Sequence, residues 1–176
     1  IATVAAAATV VLYLRRDVEH RWPLAAAVAA LTVTLHATVA VLEPVARFPT
    51  AWLHAGHTQF IMDTHTVVPD LGARFSWPGF FVATAAILEP FGTVPEPVLR
   101  WSPIFFALAY LFPLFVIAKA LLPGWRAQWL VLPLFSIFNW VGQDYFAPQS
   151  FAFLLGLVLA AIALTLRARK DSKYVS

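Results

Sequence analysis

Residues 22–42 read WPLAAAVAALTVTLHATVAVL, an unbroken run with no Asp, Glu, Lys or Arg. A helix needs about 20 apolar residues to cross a bilayer core roughly 30 Å thick, and this run is long enough by itself. Pro23 falls near its start, where a missing N–H costs little. Working outward, the charges cut the rest of the chain into windows that can be held to the same length. Residues 101–118 and 145–166 reach it. Residues 127–143 are short, but Trp129 and Trp140 near the two ends suit a membrane interface. Residues 1–14 read as the end of another span, and the start at Ile1 inside an apolar run reads as a fragment or a processed chain. Residues 75–88, FSWPGFFVATAAIL, are too short to cross and read as a helix in the interface or dipping part way, reaching about residue 90. The expectation is an all-α integral membrane domain over residues 1–176. It has about five transmembrane helices plus one juxtamembrane or re-entrant helix.

Composition agrees. Hydrophobic residues make up 61% of the chain and charged residues 12%, with a mean hydropathy of +0.77. Soluble domains average about 45–50% and about 25% respectively. An ordinary cytosolic enzyme and a disordered tail are thereby excluded. Twelve Lys and Arg are too few for a phosphate-binding face, which excludes a nucleic-acid partner. The absence of cysteine removes disulfides and thiolate metal sites.

In a membrane protein the positions of the charges matter more than their sum. Arg15, Arg16 and Arg21 fall between the first two spans, and Lys119 and Arg126 between the third and fourth. Arg167, Arg169, Lys170 and Lys173 follow the last. These nine of the twelve cations mark the cytoplasmic side of a multi-pass membrane protein. The loop 43–100 and a tight turn at 142–150 are then external. Six of the nine carboxylates lie outside with them: Glu43, Asp63, Asp70, Glu89, Glu96 and Asp144. The polar end RARKDSKYVS reads as a cytoplasmic tail or inter-span loop.

The external side therefore holds the candidate chemistry. Glu43 follows an apolar run at the outer boundary, and Pro44 stops the helix there. A partly desolvated carboxylate at that place suits a general base; the alternative is a helix-end carboxylate facing headgroup water. Asp63 and Asp70 are the other candidate bases. His54, His57, Asp63 and His65 in HAGHTQFIMDTH are ligand types for zinc or another divalent ion, yet their spacing matches no strong signature. Hydrogen-bonded loop histidines are the competing reading, and His54 and His57 can share a helix face. Arg74 and Trp77 set a phosphate-binding cation beside an indole suited to a headgroup or sugar face, or simply an aromatic anchor. Asp144, Tyr145 and Gln149 occupy the other polar break, where they could face a cavity beneath the external loop. His36, alone in a span, reads as a helix-contact residue with a functional flag.

Three stretches carry a resemblance. RFSWPGFF (74–81), LRWSPIFFALAYLFPLFVIAKALL (99–122) and NWVGQDYFAPQSFAFLLGLVLAAIAL (139–164) resemble, in order, actinobacterial polytopic membrane glycosyltransferases of the GT-C type. The resemblance covers roughly residues 43–166 and implies that the chain is the N-terminal part of such an enzyme. It implies transfer of a sugar from a polyprenyl-phosphate donor to a glycan or lipid acceptor on the extracytoplasmic face. It also implies a catalytic acid near the end of the span before the first external loop, a place that Glu43 matches. Residues 75–88 match a juxtamembrane helix. Where the family often has adjacent acidic residues, this chain has Glu43 followed by Pro44. On that reading Arg74 neutralises the departing phosphate, while Asp144 and Gln149 orient sugar or phosphate. A non-catalytic membrane subunit packing against partner helices is the alternative. A transporter ranks last, because the spans supply only His36 as an ionisable group.

Overall fold

The computed structural model describes residues 1–69, 72–139 and 144–174, with backbone alone for 171–174. Among the described residues seven α-helices follow one another: α1 (Ala2–Leu14), α2 (Arg21–Leu42), α3 (Pro49–Thr64), α4 (Gly79–Leu88), α5 (Glu96–Leu121), α6 (Trp125–Phe138) and α7 (Pro148–Tyr174). No strand occurs among the described residues. Residues 21–42, 96–121 and 148–170 form helices long and apolar enough to cross a membrane. At 13 and 14 residues, α1 and α6 are shorter; at 1.5 Å per residue each extends about 20 Å.

Large apolar side chains on the long helices stay exposed, as for Phe112 at 76% and Leu159 at 65%. Such a belt fits a bilayer, whose tails replace water as the outer solvent. α5 is the central element, touching α2, α3, α6 and α7. It contains Pro103 and Pro113, and α6 contains Pro133. A proline frees a carbonyl one turn earlier, which membrane helices tolerate when neighbours or local adjustments satisfy it. Between α2 and α6 the hydroxyls of Thr32 and Ser136 meet at 2.8 Å, both buried. The Tyr110 hydroxyl donates to the Ser150 carbonyl at 3.0 Å and ties α5 to α7.

Element boundaries differ from the sequence reading in five places, the first being α6, which runs Trp125–Phe138 rather than 127–143. Residues 49–64, expected as loop, form α3, which starts on Pro49 and ends at His65 in the left-handed region (φ 51°). The interfacial helix starts at Gly79 rather than residue 75, because residues 73–76 form turns that run into Pro78; a 3₁₀ turn, Glu89–Phe91, extends it. α5 starts at Glu96 rather than Trp101, since Pro97 suits a first turn, so Arg100 is helical. α7 starts at Pro148, leaving Asp144 and Tyr145 ahead of it, and runs through the polar end to Tyr174.

The helices have two chemically different ends. At one, the Arg126 Nε donates to the Leu14 carbonyl at 2.9 Å and its Nη2 to the Arg16 carbonyl at 2.7 Å. The Trp129 Nε1 donates to Glu19 at 2.8 Å, and Lys119 shares a cleft with Arg169 and Lys170. All three basic clusters thus gather at this basic end. The opposite, loop end is capped by α3 and α4. Its apolar core joins Phe75, Phe80, Phe81, Leu99 and Phe146.

Candidate functional site

Two clefts open at the loop end, back to back across residues 144–149. The first, of about 220 Å³, lies between α2, residues 45–51 and α5, and Asp144 closes it. His36 reaches it from α2, six residues before the helix ends at Leu42, or about 9 Å along the axis. Its Nδ1 lies 3.0 Å from the Asp144 Oδ2, with side chains 12% and 14% exposed. A carboxylate only accepts, so Nδ1 carries the proton. The Nε2 stands 3.4 Å from the Ser136 carbonyl oxygen, a longer and weaker contact.

Arg47, Arg100 and Asn139 line the same cleft. The Arg100 Nη1 donates to the Pro44 carbonyl at 3.3 Å, and its Nε stands 3.8 Å from the Glu96 Oε2. Both that Nε and the Glu96 Oε1 are buried without a hydrogen-bond partner. A guanidinium so incompletely satisfied can take an anion. Arg47, exposed, and Arg100, half-buried, flank one His-held carboxylate, walled by Leu35, Val39 and Leu99; around Asp144 and Arg100 the site is partly desolvated, and charges there interact more strongly than in water.

The second cleft, of about 410 Å³, is lined by His54, Arg74, Trp77, Phe81, Pro148 and Gln149. His54 is buried on α3, and its Nδ1 lies 3.0 Å from the Phe146 carbonyl oxygen. That carbonyl requires the proton on Nδ1 and leaves Nε2 as an acceptor in the neutral ring. Burial pushes the His54 imidazole below its ordinary range, against the hydrogen bond it donates to the Phe146 carbonyl, and the charges of Arg74 and His57 push the same way as burial. Tyr145 stacks on His54, with centroids 6.1 Å apart and planes 7° from parallel, and packs on Phe48 at 5.0 Å. Phe48 in turn lines the first cleft. An aromatic wall, Phe48–Tyr145–His54, therefore separates the two.

The fold brings together four residues singled out from sequence, His54, Arg74, Trp77 and Gln149, with Tyr145 stacked behind them. Asp144 faces the other cleft. His57 lines neither; its ring packs on Phe75 and Phe81, and its Nδ1 donates to the Leu53 carbonyl at 2.7 Å. Glu43 caps α2 in extended backbone (φ −99°, ψ 133°) and also lines neither cleft. Asp63 accepts from the Gln59 Nε2 at 2.8 Å on the exposed side of α3. Asp70 lies outside the described residues. Among the described residues no three His, Asp or Glu side chains converge as a metal site.

Comparison with protein-family models, with curated proteins and with solved structures gave no match for this chain. The site therefore stands on its own chemistry.

Sequence reasoning gave no role to Arg47 or Arg100 and left His36 without a partner. One available signal was the rule that an ionisable group in a span is paired or faces a cavity. Asp144 was the acid nearest the start of a neighbouring span. The pairing itself, across more than a hundred residues, is tertiary information.

Proposed function

We propose that the loop end is the active site of a membrane glycosyltransferase that moves a sugar from a polyprenyl-phosphate donor to a glycan or lipid acceptor. The reading rests on the resemblance carried by residues 74–81, 99–122 and 139–164. The observation that supports it best is the first cleft, where Asp144, held by His36, sits with Arg47 and Arg100. Asp144 rather than Glu43 or Asp63 is the base, because it is the one of the three that lines a cleft. It takes the proton of the acceptor hydroxyl as that oxygen bonds to the sugar C1. The bond from C1 to the phosphate oxygen breaks, and the phosphate leaves with the electron pair. Arg47 and Arg100 neutralise it. His54, Arg74, Trp77 and Gln149 hold a part of the donor or acceptor remote from the reacting atoms, in the second cleft beyond the aromatic wall, where the indole offers an apolar ring face and Gln149 an amide.

The topology that goes with this reading has five crossings, with α1 and α6 as short spans. By the positive-inside rule the basic end faces the cytoplasm and residues 43–95 face outward in a bacterial plasma membrane.

A second reading, a membrane subunit packed against partner helices, draws on α7. Only 6% of its apolar window is buried within the chain, against 33% for α2 and for α5. Sugar transfer in isolated membranes separates the two. Asp144→Asn, Glu43→Gln, Asp63→Asn and Asp70→Asn are compared with the unaltered chain, and Asp144→Asn should lose about 100-fold or more, the usual weight of a general base. Full activity in Asp144→Asn would sink the mechanism whatever the other three do.

A further inference from the structure

At the basic end, Lys119 from α5 and Arg169 and Lys170 from α7 line a wide mouth of about 1060 Å³. The mouth continues into an apolar groove of about 280 Å³ between the same two helices, floored by Phe112, Pro113, Val158 and Ile162. Val116, Thr165, Leu166 and Arg169 line both, so the two are one continuous surface. From Val158 to Arg169 the groove follows α7 for about 16 Å at 1.5 Å per residue. Ile162 and Leu166 stay 50% and 59% exposed, so the groove opens sideways toward lipid. No carboxylate lines it among the described residues.

We infer that this groove is a binding site for an anionic glycerophospholipid, its phosphate held by Lys119, Arg169 and Lys170 and one acyl chain laid between α5 and α7. Charge complementarity selects the occupant. Three cations converge from two helices at the headgroup level, which favours a phosphate over a zwitterionic headgroup with its own ammonium. Methylenes fill the apolar length below. Neither a free phosphate nor an acidic protein segment uses both halves, since the first leaves the groove empty and the second carries no chain to fill it. The assignment does not depend on the sugar-transfer reading.

The test uses the purified chain in detergent, titrated with phosphatidylglycerol, phosphatidylcholine or inorganic phosphate, with bound lipid read by native mass spectrometry. Phosphatidylglycerol should bind at one site, at least tenfold tighter than phosphatidylcholine, and inorganic phosphate should not compete at equal concentration. Combined Lys119→Gln, Arg169→Gln and Lys170→Gln should weaken it tenfold or more. Ile162→Trp, an exposed substitution that fills the groove without removing charge, should weaken it as well. Arg15→Gln with Arg16→Gln, at the same end but outside the groove, should leave it unchanged. Equal loss in that control would show diffuse electrostatics and overturn the site. So would equal binding of the two lipids, or full binding by Ile162→Trp. A stoichiometric membrane-protein partner that blocks the lipid from Ile162 would replace the lipid as occupant and also overturn it.

Discussion

At the basic end, Arg126 gives its guanidinium to the carbonyls of Leu14 and Arg16 and lies 3.5 Å from a fully exposed Asp17. At the loop end, His36 and Asp144 meet at 3.0 Å with little exposure, and Arg100 keeps a buried Nε without a hydrogen bond, 3.8 Å from Glu96. Both ends carry cations beside apolar helices. The first leaves them in reach of water, where an ion pair contributes about 0–1 kcal/mol. The second leaves Arg47 and Arg74 exposed but withdraws His36, Asp144 and in part Arg100, where removing one partner strands a charge. Cations near water suit orientation and headgroup contacts, while shielded, partly satisfied charges suit chemistry on a substrate.

The comparison can be broken first in the packing. Phe81→Ala removes a fully buried ring from the cap core at the loop end and should cost about 3–5 kcal/mol. Phe112→Ala on the exposed face of α5 should stay within about 0.5 kcal/mol. Reversible unfolding in mixed micelles measures both, and equal losses would contradict the assignment of Phe112 to a lipid face.

Next comes the shielded pair. His36→Ala leaves Asp144 without its partner and should destabilise by about 3 kcal/mol. Arg126→Ala, at the exposed end, should cost about 1 kcal/mol through its carbonyl contacts. A smaller loss at His36 than at Arg126 would mean that the pair is solvated.

Acid sharpens the contrast. The His54 imidazole is held below its ordinary value of 6.5, so the unfolded chain binds the proton first. That contribution is complete above pH 6.5 and is lost as pH falls below it. The Glu19 carboxyl is also lowered, from 4.5, chiefly by the hydrogen bond from Trp129. Its contribution is present above pH 4.5 and is lost as pH falls through the lowered value. The cap at the loop end should therefore loosen in milder acid than the basic end. Between pH 7.5 and 5.5, hydrogen-exchange protection relative to the unstructured chain at the same pH should fall in α3 before it does in α6. His54→Asn, which can still donate to Phe146, should flatten the α3 response.

The smallest effect belongs to the middle. Thr32→Val removes one half of the buried hydroxyl pair with Ser136 and should cost about 0.6 kcal/mol, the usual size of such bonds between membrane helices.

Long uncharged runs made the spans at 22–42, 101–118 and 145–166 legible, because length and apolarity decide a crossing without tertiary help. The gathering of basic clusters at one end was legible for the same reason. Residues 49–64 were not. Two histidines, Gly56 and Asp63 make the segment polar, and its helix is stabilised by burying Ala51, Ala55 and Met62 under the cap. Of the site, Arg74, Trp77 and Gln149 could be read as polar groups in aromatic surroundings. The split into two clefts could not, since it depends on Tyr145 stacking between Phe48 and His54.

The most direct test of the central claim sets Asp144→Asn against Glu43→Gln in sugar transfer from a polyprenyl-phosphate donor. Asparagine still accepts the His36 Nδ1–H, so folding should hold while the base is lost. The account predicts that Asp144→Asn falls about 100-fold or more and that Glu43→Gln stays within a few-fold of the unaltered chain. Full activity in Asp144→Asn, with loss in Glu43→Gln, would contradict it.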